Sequence, residues 1–419
     1  MRRATNSPLR NWLLVGIAVA VAAPAPLVRL SGVDLTSGPK VAISGTAILA
    51  AAFLLTWISE AAERDVSRGL ALALIAVIAV LPEYAVDLYF AWTAHDVPQH
   101  AHFATANMTG ANRLLVGFAW PTLVAIFWLR TKKKTLAVRG DTSLGLVALG
   151  AATLYSFTIP LRGHLSLLDT AVLMSIFGGY IYIVSRAPTS EPELVGPAHT
   201  IGRLPAVRRR AVVALLFLYS AGVIFASAEP FANGLVDIGR ARGINEFLLV
   251  QWLAPLASEA PEFIIAALLA ARGKAMAGMV MLISSKVNQW TLLIGTLPVA
   301  YSISGHTFSP LPIDGRQAEE VLLTAAQSAF AIAIFASLSI SLLEAGLLFL
   351  LFSTQLALTD QTVRYGFSGA YLALAAIWFI HDRATLPTVF REARRSAAGL
   401  PHPSHEAASD FSAKTKRRL

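Results

Sequence analysis

The sequence predicts an all-α polytopic membrane protein made of two inverted five-helix repeats, with one further helix flanking them at each end. Three observations lead there. Of 419 residues, 55% are hydrophobic and only 14% charged, with mean hydropathy +0.60, whereas a soluble domain carries about a quarter charged residues. Apolar runs of roughly twenty residues, long enough to cross a bilayer core, recur along the whole chain. A set of motifs also returns at nearly one offset. The chain has no cysteine, which excludes disulfides, thiolate metal sites and Cys nucleophiles.

Twelve candidate spans follow, at 12–30, 41–60, 70–95, 101–130, 143–160, 166–185, 211–233, 244–271, 276–303, 318–338, 341–357 and 366–382. The first has two readings. A basic start, an apolar middle and a small-residue end resemble a secretory leader, and a retained helix is preferred. With the N-terminus in the cytoplasm, inside segments carry 25 Lys and Arg and outside segments seven: Arg29, Lys40, Arg162, Arg240, Arg242, Arg316 and Arg364. The positive-inside rule accounts for such a split. The net charge of +9 therefore reports topology in a bacterial-type plasma membrane, with both termini cytoplasmic, and calls for no nucleic-acid partner. Arg113 and Lys286 remain, both within spans.

The domains expected are an N-terminal flanking segment (1–40), repeat 1 (41–185), a cytoplasmic linker (186–210), repeat 2 (211–357), a C-terminal flanking helix (358–383) and a disordered basic tail (384–419). The repeats rest on paired motifs. LPEYAVDLYFAW at 81–92 echoes APEFIIAALLAA at 260–271, and SLLDTAVLMSIF at 166–177 echoes SLLEAGLLFLLF at 341–352. ANRLLVGFAWP at 111–121 echoes NQWTLLIGTLP at 288–298 in looser register. Each copy holds five spans, an odd number, so the second sits upside down. Inverted repeats with interrupted helices mark secondary transporters.

Pro82 and Pro261 each directly precede a glutamate, Glu83 and Glu262. Proline removes a helix hydrogen bond and frees a backbone carbonyl, so carbonyls and a carboxylate can converge where a hard cation finds oxygen ligands. A packing kink is the competing reading of a lone Pro-Glu. Two copies at equivalent places favour an ion site, because intramembrane carboxylates are costly and usually functional.

Together these residues resemble the cation/Ca²⁺ exchanger superfamily, most closely its Na⁺/Ca²⁺ exchanger branch, over about residues 41 to 357. The family pattern is Gly-Thr-Ser-x-Pro-Glu followed by Gly-Ser-Asn-x-x-Asn on the next helix. The resemblance implies a secondary-active antiporter without cofactor, not an enzyme, that moves Ca²⁺ or Na⁺ in exchange for Na⁺ or H⁺ as one helix group slides past the rest. It makes Glu83 and Glu262 the central ion-binding carboxylates, with Asn107, Asn112, Ser284, Ser285 and Asn288 as neighbours.

The departures matter. Ile78, Ala79 and Val80 stand where hydroxyl ligands are usual, while Ala257, Ser258 and Glu259 stand at the second-repeat counterpart, keeping one hydroxyl and adding a carboxylate. Lys286 takes the place of an Asn or Asp, and Arg113 lies near the matching part of the first repeat. Glu259 with Glu262, and Glu83 with Asp87, are spaced to share helix faces. These four carboxylates against Lys286 and Arg113 as compensating or proton-coupling groups leave a balance of minus two. That pattern argues against several Na⁺ per Ca²⁺ and for proton-coupled or simplified antiport. A monovalent cation/proton antiporter and a non-transporting sensor are the alternatives.

Other signals are weaker. Glu60, Glu63 and Glu229 read as interface residues, and Asp169 and Glu344 as helix N-terminal caps. The loop AHDVPQHAH at 94–102 reads as solvated rather than metal-binding. Without a His-Glu-x-x-His motif, the chain offers no hydrolase signal.

Overall fold

The computed structural model describes residues 7–62, 64–65, 81–138, 142–185, 194 and 196–398. The N-terminal apolar segment is two helices rather than one, α1 (Pro8–Ala22) and α2 (Pro24–Ser31), and α2 ends at Gly32 in the left-handed region (φ 68°). Then come α3 (Ser37–Ala62), α4 (Leu81–Thr93), α5 (Gln99–Thr131), α6 (Ser143–Arg162) and α7 (Leu167–Val184). A short α8 (Pro197–Gly202) leads into α9 (Ala206–Arg242), α10 (Glu246–Ala271), α11 (275–304), α12 (Gly315–Phe335) and α13 (Leu342–Ala357). Helices α14 (Gln361–His381) and α15 (Leu386–Ala397) follow. Nine helical stretches among the described residues are long and apolar enough to cross a membrane, and α13 is a shorter apolar helix.

The order of α3 to α7 returns in α9 to α13. Helix α5 contains a π turn at Leu115–Ala119 and α11 one at Gln289–Leu293. Helices α7 and α13 both open with a capping box, in which the Ser166 N–H donates to Asp169 Oδ2 and the Ser341 N–H to Glu344 Oε2, each at 2.7 Å. Asp169 and Glu344 thus satisfy helix N-termini. The repetition is legible even in connectors. Strand β1 (Thr135–Ala137), between α5 and α6, pairs antiparallel with β4 (Ser339–Ser341), between α12 and α13. Strand β2 (His164–Leu165), between α6 and α7, pairs with β3 (Leu311–Pro312), between α11 and α12. Each connector that precedes the fourth helix of one set thus meets the connector that follows the fourth helix of the other. Antiparallel sets give that pairing; parallel sets would not.

Helix α3 packs along α9, α10 along α5, and α14 along α12. Two assignments change. Arg364 is not an outside-loop cation: it is 1% exposed on α14. The start of the tail expected as disordered is helix α15, which packs on α6 and α7, buries Val389, Glu392, Ala393 and Ser396, and leaves Phe390, Arg391 and Arg394 exposed. Apolar or small residues at three- to four-residue spacing give that segment a face to bury.

Candidate ion-binding site

Helix α10 stays helical through Pro255 and Pro261, so its prolines free carbonyls without opening the backbone. Pro255 deprives the Gln251 carbonyl of its helical donor. Gly110 of α5 covers that oxygen so closely that a Cβ there would lie 1.8 Å from it. Only glycine permits this approach, and a Cα–H contact partly compensates the carbonyl. The oxygen freed by Pro255 therefore faces α5 and not an ion. The carbonyl freed by Pro82 belongs to Ile78, which with Ala79, Val80 and Glu63 lies outside the described residues.

The carboxylates gather from two helices. Glu83 and Asp87 on α4 are 2% and 0% exposed, and Glu259 and Glu262 on α10 are 0% and 9% exposed. Glu83 lies within electrostatic reach of Asp87, Glu259 and Glu262. Asp87 Oδ1 accepts from Asn107 Nδ2 at 2.9 Å, and Glu262 accepts from the Ser285 hydroxyl. Glu83 Oε2, Asp87 Oδ2 and both oxygens of Glu259 have no hydrogen-bond partner. Tyr84 Oη donates to Asn288 Oδ1 at 3.3 Å, tying α4 to α11 beside these groups. Ser258 Oγ donates to the Ala254 and Pro255 carbonyls within its own helix.

Lys286 is fully buried. Its Nζ donates to Asn112 Oδ1 at 2.8 Å and to the Asn112 carbonyl at 3.3 Å, and lies 4.6 Å from the Trp290 ring centre. Glu259 acts on it electrostatically, yet no carboxylate among the described residues forms an ion pair with it within 4.0 Å. Glu259 therefore acts on the ammonium through space, not by contact.

Two expected members lie elsewhere. Ser284 turns to Tyr180 Oη at 3.1 Å, on the side facing α7. Arg113 does not compensate Glu83 or Asp87: its guanidinium donates to Glu320 of α12, which also accepts from Arg364 of α14, while Glu319 stands 3.8 Å from Arg364. All four residues of this second cluster are at most 1% exposed. Sequence reading missed Glu319, Glu320 and Arg364, although an adjacent acid pair one turn into an apolar span is a visible signal. It also missed Gln289, a buried amide beside Glu83 and Glu259 at the start of the π turn. The histidines of the 94–102 loop disperse: His95 stacks on Tyr301, His100 meets Thr93 Oγ1 at 2.6 Å, and His102 lies 3.5 Å from Asp314.

No three His, Cys, Asp or Glu side chains among the described residues close into a metal-holding group. A cation at the four carboxylates would draw further ligands from neutral oxygens or water. Buried polar atoms are ordinarily partnered, so four unpartnered carboxylate oxygens in one region leave acceptors for a mobile cation or proton. Glu229, by contrast, pairs with Arg29 at an exposed position.

Residues 41–186 and 212–359 match the family model described as sodium/calcium exchanger protein. Among solved structures, the chain is similar to "Crystal Structure of H+/Ca2+ Exchanger CAX", with TM-score 0.90 and 43% identity over 94% of this chain and 100% of that one. It shares its fold with the Ca2+/H+ antiporter protein YfkE, at TM-score 0.61 and 14% identity, covering 88% of this chain and 99% of the other. The sodium-calcium exchanger NCX_Mj has the same fold, at TM-score 0.51 and 18% identity, covering 77% of this chain and 97% of the other. No curated protein matches.

Proposed function

Because the chain belongs to the sodium/calcium exchanger family, we propose that this secondary-active antiporter moves Ca²⁺ across the membrane in exchange for protons. The observation that carries the reading is the set of unpartnered, buried carboxylate oxygens of Glu83, Asp87 and Glu259 beside Glu262. The 43% identity to a protein described as an H+/Ca2+ exchanger supports the choice of ions.

Charge counting supports it further. With Arg113 engaged by Glu320, the site holds four carboxylates against the single ammonium of Lys286, a deficit of three when all are ionised. Uncompensated charge in the membrane interior is expensive. One Ca²⁺ with one proton meets that deficit, and so do three protons. Passing between these states trades one Ca²⁺ for two protons without net charge movement. Glu83 and Glu262 hold the cation from the two halves, Glu259 and Asp87 complete the negative field, and Ser285, Asn107, Asn288, Ser258 and Gln289 orient carboxylates or lend oxygens. We place both termini in the cytoplasm of a bacterial-type plasma membrane, since moving Arg364 into the protein interior leaves six basic residues outside against 25 inside.

Reconstituted vesicles test this. An imposed pH gradient should drive Ca²⁺ uptake, and a Na⁺ gradient at equal pH should not. A pH gradient that moves neither Ca²⁺ nor Na⁺ overturns the reading.

A further inference from the structure

We propose that Lys286 is a tethered cation that keeps one cation position of the central site permanently filled and thereby excludes Na⁺ from it. The proposal deepens the antiport reading and rests on it for the identity of the site. Its ground is the internal correspondence of the chain. The π turns begin at Leu115 and Gln289, and the same 174-residue step carries Asn112 onto Lys286. These two corresponding residues meet across the halves, with the ammonium on both Asn112 Oδ1 and the Asn112 carbonyl. Both oxygens are neutral donors of the kind an alkali cation uses, and the ammonium occupies both.

The surroundings fit a captive ion. Lys286 is 0% exposed, so its charge does not reach an interface as snorkelling lysines do. Burial works against its charge and Arg113 from α5 repels it, while Glu259 from α10 attracts it and the Trp290 ring of its own helix forms one wall. Neither Glu259 oxygen is hydrogen-bonded to Lys286, so the lysine acts on that carboxylate at a distance without blocking it. A fixed charge of plus one is then part of every state of the site. Removing it raises the charge that mobile ions must supply from three to four and frees the Asn112 oxygens, which opens a place for Na⁺.

The test is the thermal unfolding of the purified full-length chain at fixed pH and ionic strength, with Na⁺ replacing choline. Wild type and Lys286→Arg should show no dependence on Na⁺. In Lys286→Met the midpoint should rise by several degrees as Na⁺ increases, because a ligand that binds only the folded state stabilises it. Adding Glu259→Gln to Lys286→Met should cancel the rise. If Lys286→Met does not fold, Lys286→Gln serves the same comparison. A lysine that only ties α5 to α11 would lower the midpoint in the variants without conferring a Na⁺ response. That flat result overturns the proposal, as does a wild type that responds to Na⁺ as strongly as the variant. Absence of pH-driven Ca²⁺ flux in wild type would instead overturn antiport and leave the Na⁺ comparison unaffected.

Discussion

Asn112 and Arg113 are adjacent on α5, yet they serve two buried charge clusters of opposite character. Asn112 faces the central group, where Glu83, Asp87 and Glu259 keep carboxylate oxygens without partners. Arg113 turns to Glu320, which takes a second guanidinium from Arg364. The first cluster has an excess of negative charge and the second is balanced, two arginines against Glu319 and Glu320. Desolvation is a cost both must meet, and only the second meets it largely from within the protein. We read the contrast as two roles: the balanced cluster fastens α14 to the core, and on the proposed function the unbalanced one is completed by mobile ions.

Substitutions that remove one charge from each cluster should therefore break different things. Glu262→Gln should weaken Ca²⁺ binding by about 2–5 kcal/mol, roughly 30-fold or more, in calorimetric titration, while the unfolding midpoint in the absence of Ca²⁺ does not fall. Glu320→Gln should do the reverse. Two buried guanidiniums lose their shared acceptor, at a cost of about 3–5 kcal/mol, seen as a lowered midpoint, while the folded fraction keeps its Ca²⁺ affinity. Equal losses of affinity in the two variants would erase the distinction.

Two smaller effects sharpen it. Gly110→Ala drives a methyl into the Gln251 carbonyl and should lower stability by about 1–3 kcal/mol through overpacking, read from the same midpoint. At the membrane edge, Arg209 binds both oxygens of Asp65 at 2.6 and 2.7 Å and, with Arg210, holds that carboxyl below the usual carboxylate range. A lowered pKa stabilises the fold above the unfolded value near pH 4, and the gain is lost as pH falls through the lowered folded value. Asp65→Asn should thus cost at most about 1 kcal/mol near neutral pH, with the difference from wild type vanishing in acid.

The paired Pro-Glu motifs and the capping acids were legible because each is a local pattern tied to helix geometry. The destination of Arg113 was not. Its depth in a span is readable, but which neighbour it faces depends on how α5 rotates against α12 and α14, and α14 lies beyond the repeated unit. The role of Pro255 was hidden for a similar reason. Its freed carbonyl is spent on Gly110, a residue 145 positions earlier, and no local rule links the two. Gln289 was overlooked because the offset between copies shifts from 179 residues at the glutamates to 174 at the π turns, which blurs the alignment at that step. Helix α15 was missed because its basic residues resemble a solvated tail until their apolar face is traced.

On the proposed function, the unbalanced cluster carries the ion. Its most direct test is Ca²⁺ uptake under an imposed pH gradient in vesicles holding equal amounts of folded wild type, Glu262→Gln or Glu320→Gln. Wild type should accumulate Ca²⁺, Glu262→Gln should not, and whatever Glu320→Gln remains folded should transport as wild type does per folded molecule. Undiminished uptake by Glu262→Gln would show that this cluster does not carry the ion.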